Sequence, residues 1–147
     1  MIFLGSDRLG FKYKEVVKRY LVDRGYQVND MGPNSEKGVD FPKYAEMVAK
    51  KVIADPYFRG ILFSRTGIGM CIAANKVKGA FAALVYNEQL SVKSREENDT
   101  NIICLPSEYL SEDSAKEIVA IWLSTSFSGS EDSTRHISLI RTIEKND

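Results

Sequence analysis

The stretch from Gly60 to Lys76, G-I-L-F-S-R-T-G-I-G-M-C-I-A-A-N-K, constrains the chain most: a short apolar run passes through a glycine-containing loop into a helical pattern. An apolar run bounded by Gly60 and Ser64 reads as a buried parallel strand, and Ile68, Cys71, Ile72 and Ala74 have the spacing of a helix packed on it. The loop therefore sits where open α/β sheets hold ligands. At such a turn the first amides of the helix have no intrahelical partner, and together with the helix dipole they favour negative charge. Gly67 and Gly69 let backbone come close to a ligand; the alternative is a tight turn whose glycines serve backbone angles alone. The spacing matches neither G-x-G-x-x-G nor a phosphate loop ending in G-K-[ST], so a dinucleotide or nucleoside triphosphate is not supported.

The rest of the chain repeats the strand-then-helix unit. Met1 to Leu4 is an apolar run, followed by G-S-D-R-L-G and a helix with Val16, Val17, Tyr20 and Leu21 on one face. Asp7, at the end of that strand, either caps the helix or reaches a ligand. Tyr26 to Asp30 reads as a second strand and Met31 to Asp40 as a surface loop. A helix opens at Asp40-Phe41-Pro42 and presents Tyr44, Val48, Val52 and Ile53. Beyond the central stretch, Ala80 to Val85 is a strand, Asn87 to Glu97 a helix and Asn101 to Leu105 the fifth strand. Ser111 to Leu123 is an amphipathic helix with Ala115, Ile118, Val119 and Trp122 inward, Trp122 as a core anchor. Past a serine-rich connection, Ile137, Ile140 and Ile143 form the stripe of a last helix, suited to its own core or to a second subunit. Five strands alternating with helices predict an α/β fold with a mostly parallel sheet covered on both faces, in one domain spanning residues 1–147.

Composition narrows the function. Twenty basic and twenty acidic side chains cancel without a basic block, which argues against a nucleic-acid partner. The apolar runs are strand-sized and no basic leader precedes them, so a soluble, unexported, cytoplasmic protein without a membrane partner is expected. Cys71 and Cys104 each fall in an apolar pattern and read as buried reduced thiols; with one histidine in the chain, a zinc site is not expected.

Several segments together resemble one family, the type B ribose-5-phosphate isomerases and the galactose-6-phosphate isomerase subunits: G-S-D-R-L-G, D-F-P-K-Y-A at Asp40 to Ala45, T-G-I-G-M-C-I-A-A-N-K at Thr66 to Lys76, and N-D-T-N-I-I at Asn98 to Ile103. Their order and spacing fit nearly the whole chain. The resemblance implies a Rossmann-like three-layer sandwich with a five-stranded parallel sheet and a C-terminal helix packed at a subunit interface. It also implies a homodimer or tetramer with shared sites, no cofactor or metal, and aldose–ketose interconversion of a sugar phosphate through an enediolate. Thr66, Gly67 and Gly69 match the positions that cradle the enediolate, and Asp7 and Asn98 match sugar contacts.

The chain departs from the family pattern where the chemistry is concentrated. Arg8 replaces a histidine that contacts phosphate or sugar, and Arg65 replaces a loop glycine; together they suit an anionic substrate in a different pose. Ser64 occupies the place of the catalytic cysteine, and a hydroxyl is a far weaker acid than a thiol. Met70 stands where one branch carries a glutamate base. Glu97 occupies the place of the ring-opening histidine, which makes it the candidate replacement base, the alternative being a solvated helix-end carboxylate. Glu108 stands in place of a phosphate-binding arginine. Arg135-His136 partly matches a C-terminal G-R-H-x-x-R segment, so Arg135 or Arg141 is the candidate phosphate contact, with Arg141 read first as a surface helix charge. These residues predict an isomerase with altered specificity, or alternatively a catalytically silent ligand-binding protein or partner subunit.

Overall fold

Side chains alternate across a strand, and here the alternation divides the core in two. Ile2, Leu4, Ile61, Phe63, Ile103 and Leu105 are buried in one apolar cluster, and Phe3, Leu62, Ile102 and Cys104 in another. A computed structural model describes residues 1–35, 37 and 40–146; the expected loop from Met31 to Asp40 thus lies partly outside the described residues. The elements are β1 (Ile2–Ser6), α1 (Phe11–Asp23), β2 (Val28–Asp30), α2 (Phe41–Val52), β3 (Arg59–Ser64), α3 (Ile68–Asn75), β4 (Ala82–Leu84), α4 (Glu88–Asn98), β5 (Ile102–Pro106), α5 (Glu112–Ser124) and α6 (Glu131–Lys145), with a single 3-10 turn at Ser107–Tyr109.

The five strands form one all-parallel sheet in the order β2-β1-β3-β5-β4. Helices α1 and α5 cover the first cluster, with Leu90 of α4 at its margin, while α2 and α3 cover the second. This is the expected three-layer, Rossmann-like α/β fold. Trp122 is fully buried in the first layer, and its Nε1 donates to Thr100 Oγ1 at 3.0 Å, so a core anchor also fixes the turn into β5. Because β2 lies on one side of β1 and β3 on the other, the order reverses between β1 and β3. Ligands of open α/β sheets bind beyond the carboxyl ends of the strands at such a point.

Several local expectations are corrected. Ile68 and Ile72 do not pack on the strand: they are 54% and 57% exposed, whereas Met70 and Ala74 are fully buried and Cys71 is half-buried. Because α3 is apolar on nearly every side, periodicity gives no phase. Ile53, placed on the inward face of α2, is also exposed, as it is the residue that caps the helix. Strand β2 begins at Val28 instead of Tyr26, and β4 is confined to Ala82–Leu84 because a turn through Gly79, with φ +92°, occupies the preceding residues. On α6 only Ile137 is buried; Ile140 and Ile143 are exposed. Lys14, a polar residue in the pattern of α1, is fully buried: its Nζ lies 2.6 Å from Asp30 Oδ2 at the end of β2, a partner that periodicity does not show.

Candidate active site

At the reversal of strand order, the turns after β1 and β3 enclose a pocket of about 180 Å³ lined by Asp7, Leu9, Phe41, Ser64, Arg65, Thr66, Gly69 and Met70. The β3 turn is built on two side-chain caps. Ser64, 6% exposed, accepts the Gly67 N–H on its Oγ at 2.9 Å, and Thr66 Oγ1 accepts the Ile68 N–H at 3.3 Å. The first helical bond of α3 runs from the Cys71 N–H to the Gly67 carbonyl, so the amides of Gly69 and Met70 precede the intrahelical ladder and stand at the positive end of the helix dipole. Gly67 has φ +75°, and a Cβ there would stand 2.5 Å from Leu84 Cδ1; at Gly69 a Cβ would stand 2.6 Å from the Phe41 ring. Gly67 therefore meets both its left-handed backbone and a close neighbour, whereas at helical Gly69 the Phe41 ring alone favours glycine.

Asp7 closes a turn and stands at the pocket wall. Its Oδ1 accepts the Gly10 N–H at 2.6 Å, closing the turn before α1, while the residue lines the pocket. A Cβ at Gly10 would collide with the Phe63 carbonyl, so α1 begins directly on the end of β3. Arg65 lines the same pocket, and its Nη1 lies 3.0 Å from Glu108 Oε2. Arg8, on the exposed turn next to Asp7, is outside the pocket lining.

Glu97, Asn98 and Arg135 are not brought to this pocket. Glu97 and Asn98 end α4 and line a separate cleft with Lys93, Ser130 and His136. In the register of β3 and β5, Gly60 faces Ile102 and Ser64 faces Pro106. The end of α4 leads into Ile102, so the two groups of residues stand beyond opposite ends of the strands, about 13 Å or more apart at ~3.3 Å per residue. Glu97 is exposed, with Lys93 Nζ 3.5 Å from its Oε1. Arg135 pairs with Asp132 at 3.0 Å, and the Arg141 guanidinium lies 5.0 Å from the centre of the Phe81 ring.

Behind the loop, the two cysteines meet. Cys71 Sγ lies 3.5 Å from the Ala82 carbonyl and accepts from Asn75 Nδ2 at 3.7 Å; the neighbouring Cys104 thiol lowers Cys71 to about 7 against the opposing effect of its burial, and the Leu84 backbone adds to the lowering. Burial pushes Cys104 well up. Proximity of two residues 33 positions apart (104 − 71) comes from α3 lying across β5 and is invisible to sequence spacing. Among the described residues, no cluster of three or more His, Cys, Asp and Glu side chains forms a metal site, and no helix is long and apolar enough to cross a membrane.

An all-parallel sheet with a glycine loop, a carboxylate and a cation at its switch point is the arrangement of an open α/β protein whose ligand site lies beyond the carboxyl ends of the strands. The comparisons with known proteins narrow this class. The family model described as Ribose/Galactose Isomerase matches residues 2–140. The Escherichia coli ribose-5-phosphate isomerase B is 38% identical over 145 residues, covering 98% of this chain and 96% of its own. A D-erythrulose-4-phosphate isomerase of Pectobacterium atrosepticum is 34% identical over 130 residues, covering 87% and 85%. The crystal structure of the Mycoplasma genitalium ribose-5-phosphate isomerase B with bound ribulose-5-phosphate superposes with a TM-score of 0.94 at 36% identity, covering 99% and 97%. The chain belongs to the ribose/galactose isomerase family, and sugar-phosphate isomerisation is the activity that this family supports.

Proposed function

We propose that the chain, as one domain over residues 1–147, is a cytoplasmic aldose–ketose isomerase acting through an enediolate on a sugar phosphate that differs from the usual family substrate. The observation that carries the reading is the meeting of Asp7, Thr66 and the first amides of α3 in one pocket at the switch point. Moving a proton between adjacent carbons places negative charge on two oxygens, and amides fixed at a helix start stabilise such charge without reorganising. Thr66, the turn at Gly67 and the amide of Gly69 would surround the enediolate, Asp7 and Asn98 would hold sugar hydroxyls, and Arg8, Arg65 and Arg135 would meet the anionic group. Glu97 takes the role of acid and base, with Ser64 shaping the loop through its bond to Gly67.

Within one chain Glu97 is too far from the loop, and a pocket of about 180 Å³ is smaller than the ~300 Å³ at which most small-molecule sites begin. Both facts support a homodimer or tetramer in which a second copy of Glu97, Asn98 and Arg135 completes the pocket. The exposed apolar side chains of Ile68 and Ile72 on α3, and of Leu139, Ile140 and Ile143 on α6, supply surface for that contact.

Deuterium incorporation from heavy water into a panel of four- to six-carbon sugar phosphates, read by NMR, tests the reading. Exchange into one sugar is expected; no exchange across the panel, with a ligand still raising the melting temperature, transfers support to a silent binding protein or partner subunit. The second reading has one observation in its favour: Ser64 Oγ is hydrogen-bonded to an amide donor and not to a base.

A further inference from the structure

We propose that Glu108 is a specificity-determining residue that occupies the anion seat of Arg65, so that a substrate's anionic group binds by displacing an internal carboxylate. The proposal rests on the reading of this pocket as the site of an anionic substrate. Two contacts join the residues: the Glu108 N–H donates to the Arg65 carbonyl at 3.1 Å, and Arg65 Nη1 donates to Glu108 Oε2 at 3.0 Å. The turn that carries Glu108 is anchored independently, since Ser107 Oγ donates to the Ser64 carbonyl at 3.1 Å and lies 3.3 Å from the Leu9 carbonyl. Neutralising the carboxylate therefore leaves the turn in place.

The charge balance makes Glu108 decisive. Arg65 is the cation lining the pocket and Asp7 the carboxylate; with Glu108 on its guanidinium, Arg65 presents little uncompensated charge to a ligand. Both side chains are about half exposed, at 54% and 46%, so the pair is solvated and can be exchanged. A phosphate, with close to two negative charges and three acceptor oxygens, matches the planar fork of arginine as a carboxylate does and brings more charge to it. A neutral sugar gains nothing by opening the pair. Glu108 thus sets the threshold that an anionic group must exceed.

Calorimetric titration of ribose 5-phosphate and of inorganic phosphate into the wild type, Glu108→Gln, Arg65→Ala and the double variant tests this. Glu108→Gln is expected to tighten binding about 3- to 10-fold at low salt, the range of an exposed pair plus relief of one like charge, with the gain shrinking as salt is raised. Arg65→Ala removes the gain. In turnover the same change falls on KM and not on kcat. Unchanged or weakened binding by Glu108→Gln, a gain that survives Arg65→Ala, or no binding of either probe by Glu108→Gln overturns the proposal. Tightened phosphate binding by a protein that shows no deuterium exchange upholds it while the isomerase reading falls.

Discussion

Glu97 is proposed as a proton-transfer group, yet its side chain is exposed and beside Lys93 on the last turn of α4. Glu97→Gln is expected to cut turnover by at least about 100-fold, the usual cost of losing a general base, while the dissociation constant of the substrate changes little. Unchanged turnover would return Glu97 to the role of a solvated helix-end carboxylate. At this scale the position of Asp7, Ser64, Thr66 and Gly69 around one pocket was legible because they are contiguous with the strand ends that carry them. Lys14 was not, because its burial depends on Asp30, sixteen positions on and in a different element. The meeting of Arg65 with Glu108 escaped for the same reason: 43 residues separate them, and only the pairing of β3 with β5 brings their turns together.

Elements respond to pH through two such contacts. Burial acts to raise the Asp30 carboxyl, but hydrogen bonds from Lys14, Lys18 and the Gly32 amide outweigh it and hold Asp30 below its ordinary value. A depressed folded value stabilises the fold above the unfolded value of about 4 and is lost as pH falls through the lower folded one. Asp30→Asn leaves Lys14 buried with Glu15 alone, and is expected to cost about 2–3 kcal/mol at neutral pH and to flatten the acid limb of the stability profile. Urea denaturation between pH 2 and 7 measures both. In α3, alkylation of Cys71 is expected to rise through about pH 7 while Cys104 stays protected; in Cys104→Ala, which removes the neighbouring thiol, the midpoint moves up. The limits of α3 were readable from its glycines and its strand, but its orientation was not. A helix whose exposed side is as apolar as its buried side has no polar stripe to mark the outside.

The whole molecule follows from alternation of strands and helices, and its sheet order places the glycine loop at the switch point. The sequence motifs do not say which copy of the chain each residue serves, and the fold alone separates Ser64 from Asn98. If the exposed α3 side chains meet a second copy, Ile72→Asp is expected to shift the sedimentation coefficient to that of a monomer and to abolish turnover. Retention of the assembled species would move the contact elsewhere. The position of the two residue groups beyond opposite ends of the strands has a genetic corollary. If a second copy completes each site, two defective chains, one altered at Thr66 and one at Glu97, should rescue each other when coexpressed, because each mixed pair unites the intact loop of one with the intact helix end of the other. Random pairing in a two-fold dimer would restore about a quarter of the wild-type activity from two alleles that are each inactive alone.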